Sequence, residues 1–259
     1  MIPKVIHYCW FGKGEYPEVF QKCKDSWKKY CSDYQIIEWN ESNFDVNEIP
    51  YVREAYKAKK WAFVVDYVRM YVLYTHGGIY LETDTEVIKP LDGLLENDGF
   101  VGLAGEVVTM PVLGMTKGHS FGKAMIDYYK DRHFLKEDGS YDQTTINIVA
   151  NRILEDQFNM TRSQTIQKLK EGLTIYPEKY FFTDWSTGRM KYTNNNYVIH
   201  YAEASWQDDQ LRTRKMLERK YKRLFGMRVG TTLAFIVSYI KYRGIKRAFT
   251  KTIEALLKK

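Results

Sequence analysis

The feature that most constrains this chain is a pair of adjacent glycines, Gly77 and Gly78, set between two apolar segments of different period. Before them, Ala55, Ala58, Ala62, Val65, Val68 and Val72 recur at helical spacing and predict one long helix from about Tyr51 to His76. After them, Ile79-Tyr80-Leu81 reads as a short buried strand. Glycine there ends the helix as a left-handed cap would. The strand then runs into Glu82-Thr83-Asp84-Thr85-Glu86, three carboxylates at alternate positions. In extended chain these share one face, where they repel each other. Either the segment is a solvated edge strand, or a divalent cation held by hard oxygen ligands offsets the charge. The acids follow a strand's carboxyl end, where open α/β sheets build ligand crevices.

The rest of the chain supplies such a sheet. Val5 to Phe11 reads as a strand closed by Gly12 and Gly14, and Pro17 to Tyr30 as a helix with proline in its first turn. Tyr34 to Trp39, Thr85 to Ile88, Phe100 to Leu103, Val107 to Val112, Leu173 to Tyr176 and Tyr197 to Tyr201 read as strands. His119 to Arg132 and Thr144 to Gln157 read as helices. Strands alternating with helices predict an α/β fold with a mixed or parallel sheet covered on both faces.

Charge divides the 259 residues. Residues 212–259 hold 15 Lys and Arg against Glu218 and Glu254, a net +13, which leaves 24 basic and 30 acidic groups, a net −6, on residues 1–211. A body of residues 1–210 and a basic helical tail of residues 211–259 are therefore expected. Within the tail, the 12 residues Val229 to Ile240 are uncharged. As helix they extend about 18 Å, short of the ~30 Å needed to cross a bilayer. Beyond Gly244, Ile245, Phe249, Ile253 and Leu256 form one stripe while Arg247, Lys251 and Lys258 face away. That pattern is either an interfacial helix drawn to an anionic membrane surface or a cap packed on the body. No nucleic-acid-binding motif accompanies the charge. The three cysteines, Cys9, Cys23 and Cys31, have no CxxC spacing, and no basic-plus-apolar leader opens the chain. A reduced, cytoplasmic protein, peripheral at the inner face of the cell membrane, is expected.

Four motifs in order carry a family resemblance. They are Ile2-Pro3-Lys4-Val5-Ile6-His7-Tyr8-Cys9-Trp10-Phe11-Gly12, Ala62-Phe63-Val64-Val65-Asp66-Tyr67-Val68-Arg69, the Gly77-to-Asp84 run, and Ile199-His200-Tyr201-Ala202-Glu203-Ala204-Ser205-Trp206. Over about residues 1–210 the chain resembles the bacterial capsular-polysaccharide glycosyltransferases of the DXD sugar-binding group (family 32-like). That group is related to the yeast initiating mannosyltransferases and the clostridial glucosylating toxins. The resemblance implies a GT-A fold, a Rossmann-like mixed sheet with the nucleotide site at its carboxyl ends. It further implies a Mn²⁺ or Mg²⁺ ion and retaining transfer of a hexosyl or N-acetylhexosaminyl group from a nucleotide sugar, with UDP as the expected carrier. The expected acceptor is a saccharide, lipid-linked on polyprenyl diphosphate.

The roles follow residue by residue from the resemblance. Asp84 would coordinate the metal, and Glu82, which stands where the family has its first Asp, would assist it beside Thr83. Asp66 and Arg69 would bind the donor sugar and lie near its diphosphate; the i,i+3 spacing alone reads as a surface ion pair, but the two lie among apolar residues, where unpaired charge is expensive. Trp10 would stack on the nucleotide base or pack in the core. His200 or Glu203 would complete the metal site, and Ser205 and Trp206 would donate to the diphosphate. Asp142 and Gln143 would lie near the acceptor. His7, His76, His119 and His133 read as structural or exposed. Two other functions stay open. One is a metal-dependent phosphodiester hydrolase, which would want more His and Asp ligands. The other is a non-catalytic nucleotide- or carbohydrate-binding relative, which Glu82 in place of Asp keeps in view.

Overall fold

The computed structural model describes residues 1–183, 192–202 and 209–244. The chain divides into two compact units, residues 1–182 with 193–201, and residues 183–192 with 202–259.

The first unit is built on a seven-stranded sheet. Its strands are β1 (Val5–Cys9), β2 (Gln35–Trp39), β3 (Gly78–Leu81), β5 (Gly99–Ala104), β6 (Val107–Met115), β7 (Gln167–Lys168) and β8 (Leu173–Tyr176), in the order β2-β1-β3-β6-β5-β8-β7. β1 is parallel to β2 and β3, and β5 to β8, whereas β6 runs antiparallel to both its neighbours. This is the mixed sheet expected of the GT-A class. Two more strands, β4 (Thr85–Val87) and β9 (Val198–His200), pair antiparallel in a ribbon of their own.

Strand alternation feeds a core on each face of the sheet. Cys9 and Tyr80 enter one cluster with side chains of α2 (Pro50–Lys57), α3 (Trp61–His76), α4 (Ser120–Lys130) and α5 (Ile146–Phe158). Ile6, Tyr8, Ile79 and Leu81 enter the other, with Phe20, Cys23 and Trp27 of α1 (Glu18–Tyr30). The three cysteines are buried and form no disulfide.

The single helix expected from Tyr51 to His76 is two helices. The Lys60 N–H bonds to Ala55 O and the Lys59 N–H to Tyr56 O, while Lys59 takes φ = 57°. That bonding is a Schellman stop, in which a left-handed residue satisfies the last carbonyls. Lysine does there what glycine usually does, so the alanine periodicity runs through the break without a signal.

At the other end α3 stops on Gly77, with φ = 71° and ψ = 176°. This is extended rather than left-handed helical, in a region open essentially to glycine alone, and it turns the chain straight into β3. Gly78, at φ = 119°, could carry no Cβ: one would lie 2.7 Å from Val5 O and 2.9 Å from His7 Nε2. His7 occupies that seam, its Nδ1 accepting from Trp39 Nε1 at 3.0 Å and its Nε2 donating to Gly77 O at 2.8 Å. The glycine pair thus lets α3 and β3 close onto β1.

The second unit contains a hairpin of α6 (Asp209–Phe225) and α7 (Met227–Arg243). Gly226, at φ = 78°, makes the turn. Thr213 and Tyr242 hydrogen-bond at 2.9 Å, and Arg243 donates to Gln210 at 3.4 Å, so the helices run antiparallel. A Cβ on Gly230 would collide with the Lys222 backbone, which measures how closely they pack. No helix among the described residues is long and apolar enough to cross a membrane. The amphipathic segment expected after Gly244 lies outside the described residues.

Candidate active site and metal centre

α3 is apolar nearly all round, and its only Asp and Arg are Asp66 and Arg69, both buried. Unpaired charge in such surroundings is costly, so each must be answered locally. Arg69 Nη2 lies 3.5 Å from Asp66 Oδ1, and Nη1 bonds to Glu82 Oε1 and to Met110 O, both at 3.0 Å. The guanidinium also lies 4.8 Å from the centre of the Tyr80 ring. Its Nε is buried with no hydrogen-bond partner. Asp66 takes a second bond from the Ile146 N–H, at 3.3 Å, where α5 begins. The pair is therefore a buried link between α3, α5 and the acidic turn, not the surface ion pair that the spacing alone allows.

The acidic turn is pinned on several sides. Glu82 N bonds to Pro111 O at 2.9 Å, and Thr85 N closes the turn on Glu82 O at 3.0 Å. Trp27 Nε1 donates to Thr85 O at 2.7 Å, and Tyr201 N to Asp84 O at 3.0 Å. Because the chain turns over Thr83 and Asp84, the three carboxylates do not share one strand face. Glu86 leaves the group: it pairs with Lys22 at 2.9 Å and accepts from Tyr201 OH at 2.5 Å. Its place is taken by His200, which the β4–β9 register sets opposite Thr85. His200 Nε2 lies 3.1 Å from Glu82 Oε2 and 3.4 Å from Asp84 Oδ1.

Glu82, Asp84 and His200 each present a ligand atom, all within 4.8 Å of one another. Two carboxylates and an imidazole suit a divalent ion of Mn²⁺ or Mg²⁺ type, with imidazole favouring the former. The electrostatics fit as well. Burial works against a charged His200 ring, yet Asp84 and Glu82 outweigh it and hold the pKa up to about 10. Burial also opposes ionisation of Glu82, but His200 and Arg69 bring its pKa below the ordinary value. The cluster binds positive charge in the place a cation would take. Asp66 goes the other way: burial raises it to about 6, against the pull of Arg69.

Five of the expected residues, Asp66, Arg69, Glu82, Asp84 and His200, therefore form one connected group, and Thr83 sits in the turn between two of them. Trp10 lies beyond the carboxyl end of β1, half-buried, its Nε1 bonded to Gly14 O at 2.8 Å and its ring 5.0 Å from Tyr16. It is outside the core, at the same end of the sheet as the turn, since β1 and β3 are parallel with His7 opposite Tyr80. Asp142 is buried, 3.5 Å from Arg132, and its Oδ1 accepts from Thr144 N at 3.1 Å; Gln143 joins it to that segment leading into α5. Ser205, Trp206 and Glu203 lie outside the described residues. His7 and His119 are buried and hydrogen-bonded to backbone, and His133 is exposed and paired with Glu54 at 2.7 Å. His76 is exposed. Two participants escaped the sequence reading: the Tyr80 ring and the Met110 carbonyl, which flank Arg69. Tyr80 was legible only as a strand residue with the period of the core.

Comparison with known proteins meets this geometry in one segment. The family described as "Glycosyltransferase sugar-binding region containing DXD motif" matches residues 17–101. Inositol phosphoceramide mannosyltransferase 3 of Schizosaccharomyces pombe is 30% identical over 125 residues, 46% of this chain and 35% of that protein. Inositol phosphoceramide mannosyltransferase 2 of the same yeast is 26% identical over 248 residues, 93% of this chain and 68% of that protein. The chain thus spans about a third of the first relative's length and about two thirds of the second's. Among solved structures, the galactosyltransferase LgtC in complex with donor and acceptor sugar analogs aligns over 89% of this chain and 95% of its own, at 13% identity and a TM-score of 0.42. Residues 17–101, which carry Asp66, Arg69, Glu82 and Asp84, are similar to the sugar-binding region of the DXD glycosyltransferases, and His200 joins that region from outside it.

Proposed function

We propose that this chain is a metal-assisted, retaining glycosyltransferase that takes a hexosyl or N-acetylhexosaminyl group from a nucleotide sugar, UDP-linked by preference, to a saccharide acceptor. The observation that carries the reading is the convergence of Glu82, Asp84 and His200 beside the buried Asp66–Arg69 pair. Glu82, Asp84 and His200 would hold the divalent ion. Bound there, it would supply Lewis-acid stabilisation of the charge that gathers on the departing diphosphate.

The chain's own groups do the rest. With Asp66, Glu82 and Asp84 ionised and Arg69 cationic, a neutral His200 leaves the group at a net −2, which a divalent ion balances. In that state the unprotonated His200 Nε2, placed between Glu82 Oε2 and Asp84 Oδ1, would serve as a ligand instead of holding a proton between the two carboxylates. Arg69 is fixed by Asp66, Glu82 and Met110, so it reaches a donor phosphate oxygen without reorganising, and its Nε lacks only an acceptor. Asp66 accepts a sugar hydroxyl while α5 and Arg69 hold its carboxylate in place. Trp10 offers a half-buried aromatic face at the same end of the sheet, suited to the base.

A polyprenyl-diphosphate-linked saccharide, as in capsule or exopolysaccharide repeat units, is the proposed acceptor. The relatives' names add mannosyl donors to the sugars worth testing. The test is a panel of UDP- and GDP-sugars with Mn²⁺, Mg²⁺ or chelator, read by released nucleoside diphosphate. Metal-dependent release from one donor is the expected result. Tight metal-dependent diphosphate binding with no turnover on any donor would instead make the chain a binding relative.

A further inference from the structure

The turn of the α6–α7 hairpin exposes what a folded chain ordinarily covers. Seven successive residues, Arg223-Leu224-Phe225-Gly226-Met227-Arg228-Val229, are all exposed. Leu224 is 61% exposed, Phe225 54%, Met227 56% and Val229 53%. Elsewhere among the described residues, no two exposed large apolar side chains are close neighbours in sequence. The two helices do not use these side chains to hold each other, since the buried positions of α7 are Gly230, Ala234 and Ser238. The apolar turn is bracketed by Arg223 and Arg228, and Lys220, one turn back on α6, is exposed too. The nearest acid on α6, Glu218, is already engaged by Arg214 and Lys222, both at 3.0 Å.

We propose that this turn is a membrane-insertion tip, seating in the headgroup–acyl boundary of an anionic bilayer. Leu224, Phe225 and Met227 enter the acyl edge, and Arg223, Arg228 and Lys220 meet lipid phosphates. The order of the chemistry, an apolar apex on a cationic shoulder, is the order a bilayer presents from acyl chains to anionic headgroups. A bilayer also accepts an apex of unspecified shape, whereas a protein partner would need a fitted pocket with an acidic rim. The contact is interfacial, since no described helix is long and apolar enough to span. It places attachment at the hairpin turn, independently of any amphipathic segment after Gly244 and of the donor chemistry.

The experiment is co-flotation of the full chain with phosphatidylglycerol-containing or pure phosphatidylcholine vesicles. Leu224→Ser with Phe225→Ser should weaken binding to the anionic vesicles on the order of 100-fold, the loss expected for two partly buried large apolar groups. Arg223→Gln with Arg228→Gln should weaken it on the order of 10-fold on anionic vesicles and leave phosphatidylcholine unaffected. All four positions are exposed, so the far-UV circular dichroism of the variants should match the wild type. An environment-sensitive dye gives the geometry. The native cysteines are buried, so Phe225→Cys or Lys241→Cys introduces the reactive thiol. Emission should shift to the blue on anionic vesicles from position 225 only. A shift from position 241 alone, unchanged flotation of the serine variant, or no flotation of the wild type would overturn the proposal. So would self-association, read by light scattering, that the serine variant abolishes, because the occupant would then be a second copy of the chain.

Discussion

His7 and His200 are both imidazoles of the first unit, and their surroundings leave one neutral and the other protonated. His7 sits in the seam between β1 and β3, answered by a backbone carbonyl and an indole N–H. Burial pushes its pKa down to about 4, so it is neutral. His200 faces Glu82 and Asp84, which overcome burial and lift it to about 10, so without a metal it carries a proton. The same residue type makes a seam in one place and the partner of two carboxylates in the other. What differs is whether carboxylates have been brought within reach. The seam excludes charge and lets backbones close, whereas the turn concentrates charge where the metal is proposed to bind.

The largest test strikes the charged region. Asp84→Asn keeps the shape and removes a carboxylate from the proposed metal-binding face. Donor turnover should fall on the order of 1000-fold, the scale for losing one preorganised electrostatic group. The Mn²⁺-induced rise in melting temperature should vanish with it. Retained metal stabilisation would put the ion elsewhere and reduce the His200 cluster to a structural salt bridge.

Next comes the cost of the charge itself. Arg69→Gln leaves Asp66 and Glu82 with one fewer cation in buried surroundings. Removing one partner of a buried ion pair typically costs about 3 kcal/mol or more. Urea unfolding at neutral pH should show it. A cost below about 1 kcal/mol would mean that water already reaches the pair.

The third test strikes the seam, through pH. With its pKa near 4 in the folded chain and 6.5 as the ordinary value, His7 binds its proton more readily when unfolded. Its contribution is complete above the unfolded value and is lost as pH falls from 6.5 through 4, roughly 2 kcal/mol of it by pH 5. His119, also lowered by burial, adds to the same window, so the measurement is a difference. His7→Gln should lose less stability than the wild type between pH 7 and pH 5 in parallel urea titrations. Equal losses would mean that His7 is not the charge-excluding group the comparison requires.

Much of this was legible in the sequence, and the gaps have physical causes. Asp66 and Arg69 stood out because charge inside an apolar helix needs a reason. Glu82 and Asp84 stood out because alternate carboxylates at a strand's end need a counter-charge. Glu86 was swept in with them on strand periodicity, which fails where the chain turns and sends that carboxylate to Lys22. His200 was visible as a residue of a late strand, but its meeting with Glu82 depends on β4 pairing with β9, a contact no local pattern encodes. Tyr80 and the Met110 carbonyl reach Arg69 through sheet pairing and carry no polar signature of their own.

The smallest test concerns the two ends of α3, where the same rule is written in two spellings. At Gly77 the chain needs a positive φ and the sequence has glycine, so the helix end was readable. At Lys59 the chain also needs a positive φ, of 57°, and the sequence has lysine. A left-handed L-residue costs about 1 kcal/mol, part of which glycine repays through its looser unfolded state. Lys59→Gly should therefore raise stability by about 0.5 kcal/mol, a degree or two in a thermal melt, and leave donor turnover unchanged. Gly77→Ala at the other end should do the reverse and do it strongly. Gly77 holds a positive φ in the extended region open essentially to glycine alone, and alanine there would also set a Cβ 2.8 Å from Lys117 N. If Lys59→Gly instead destabilises, the α2–α3 break is held by the lysine side chain and not by the backbone bonds to Ala55 and Tyr56, and the alanine periodicity through residue 59 would need a different explanation.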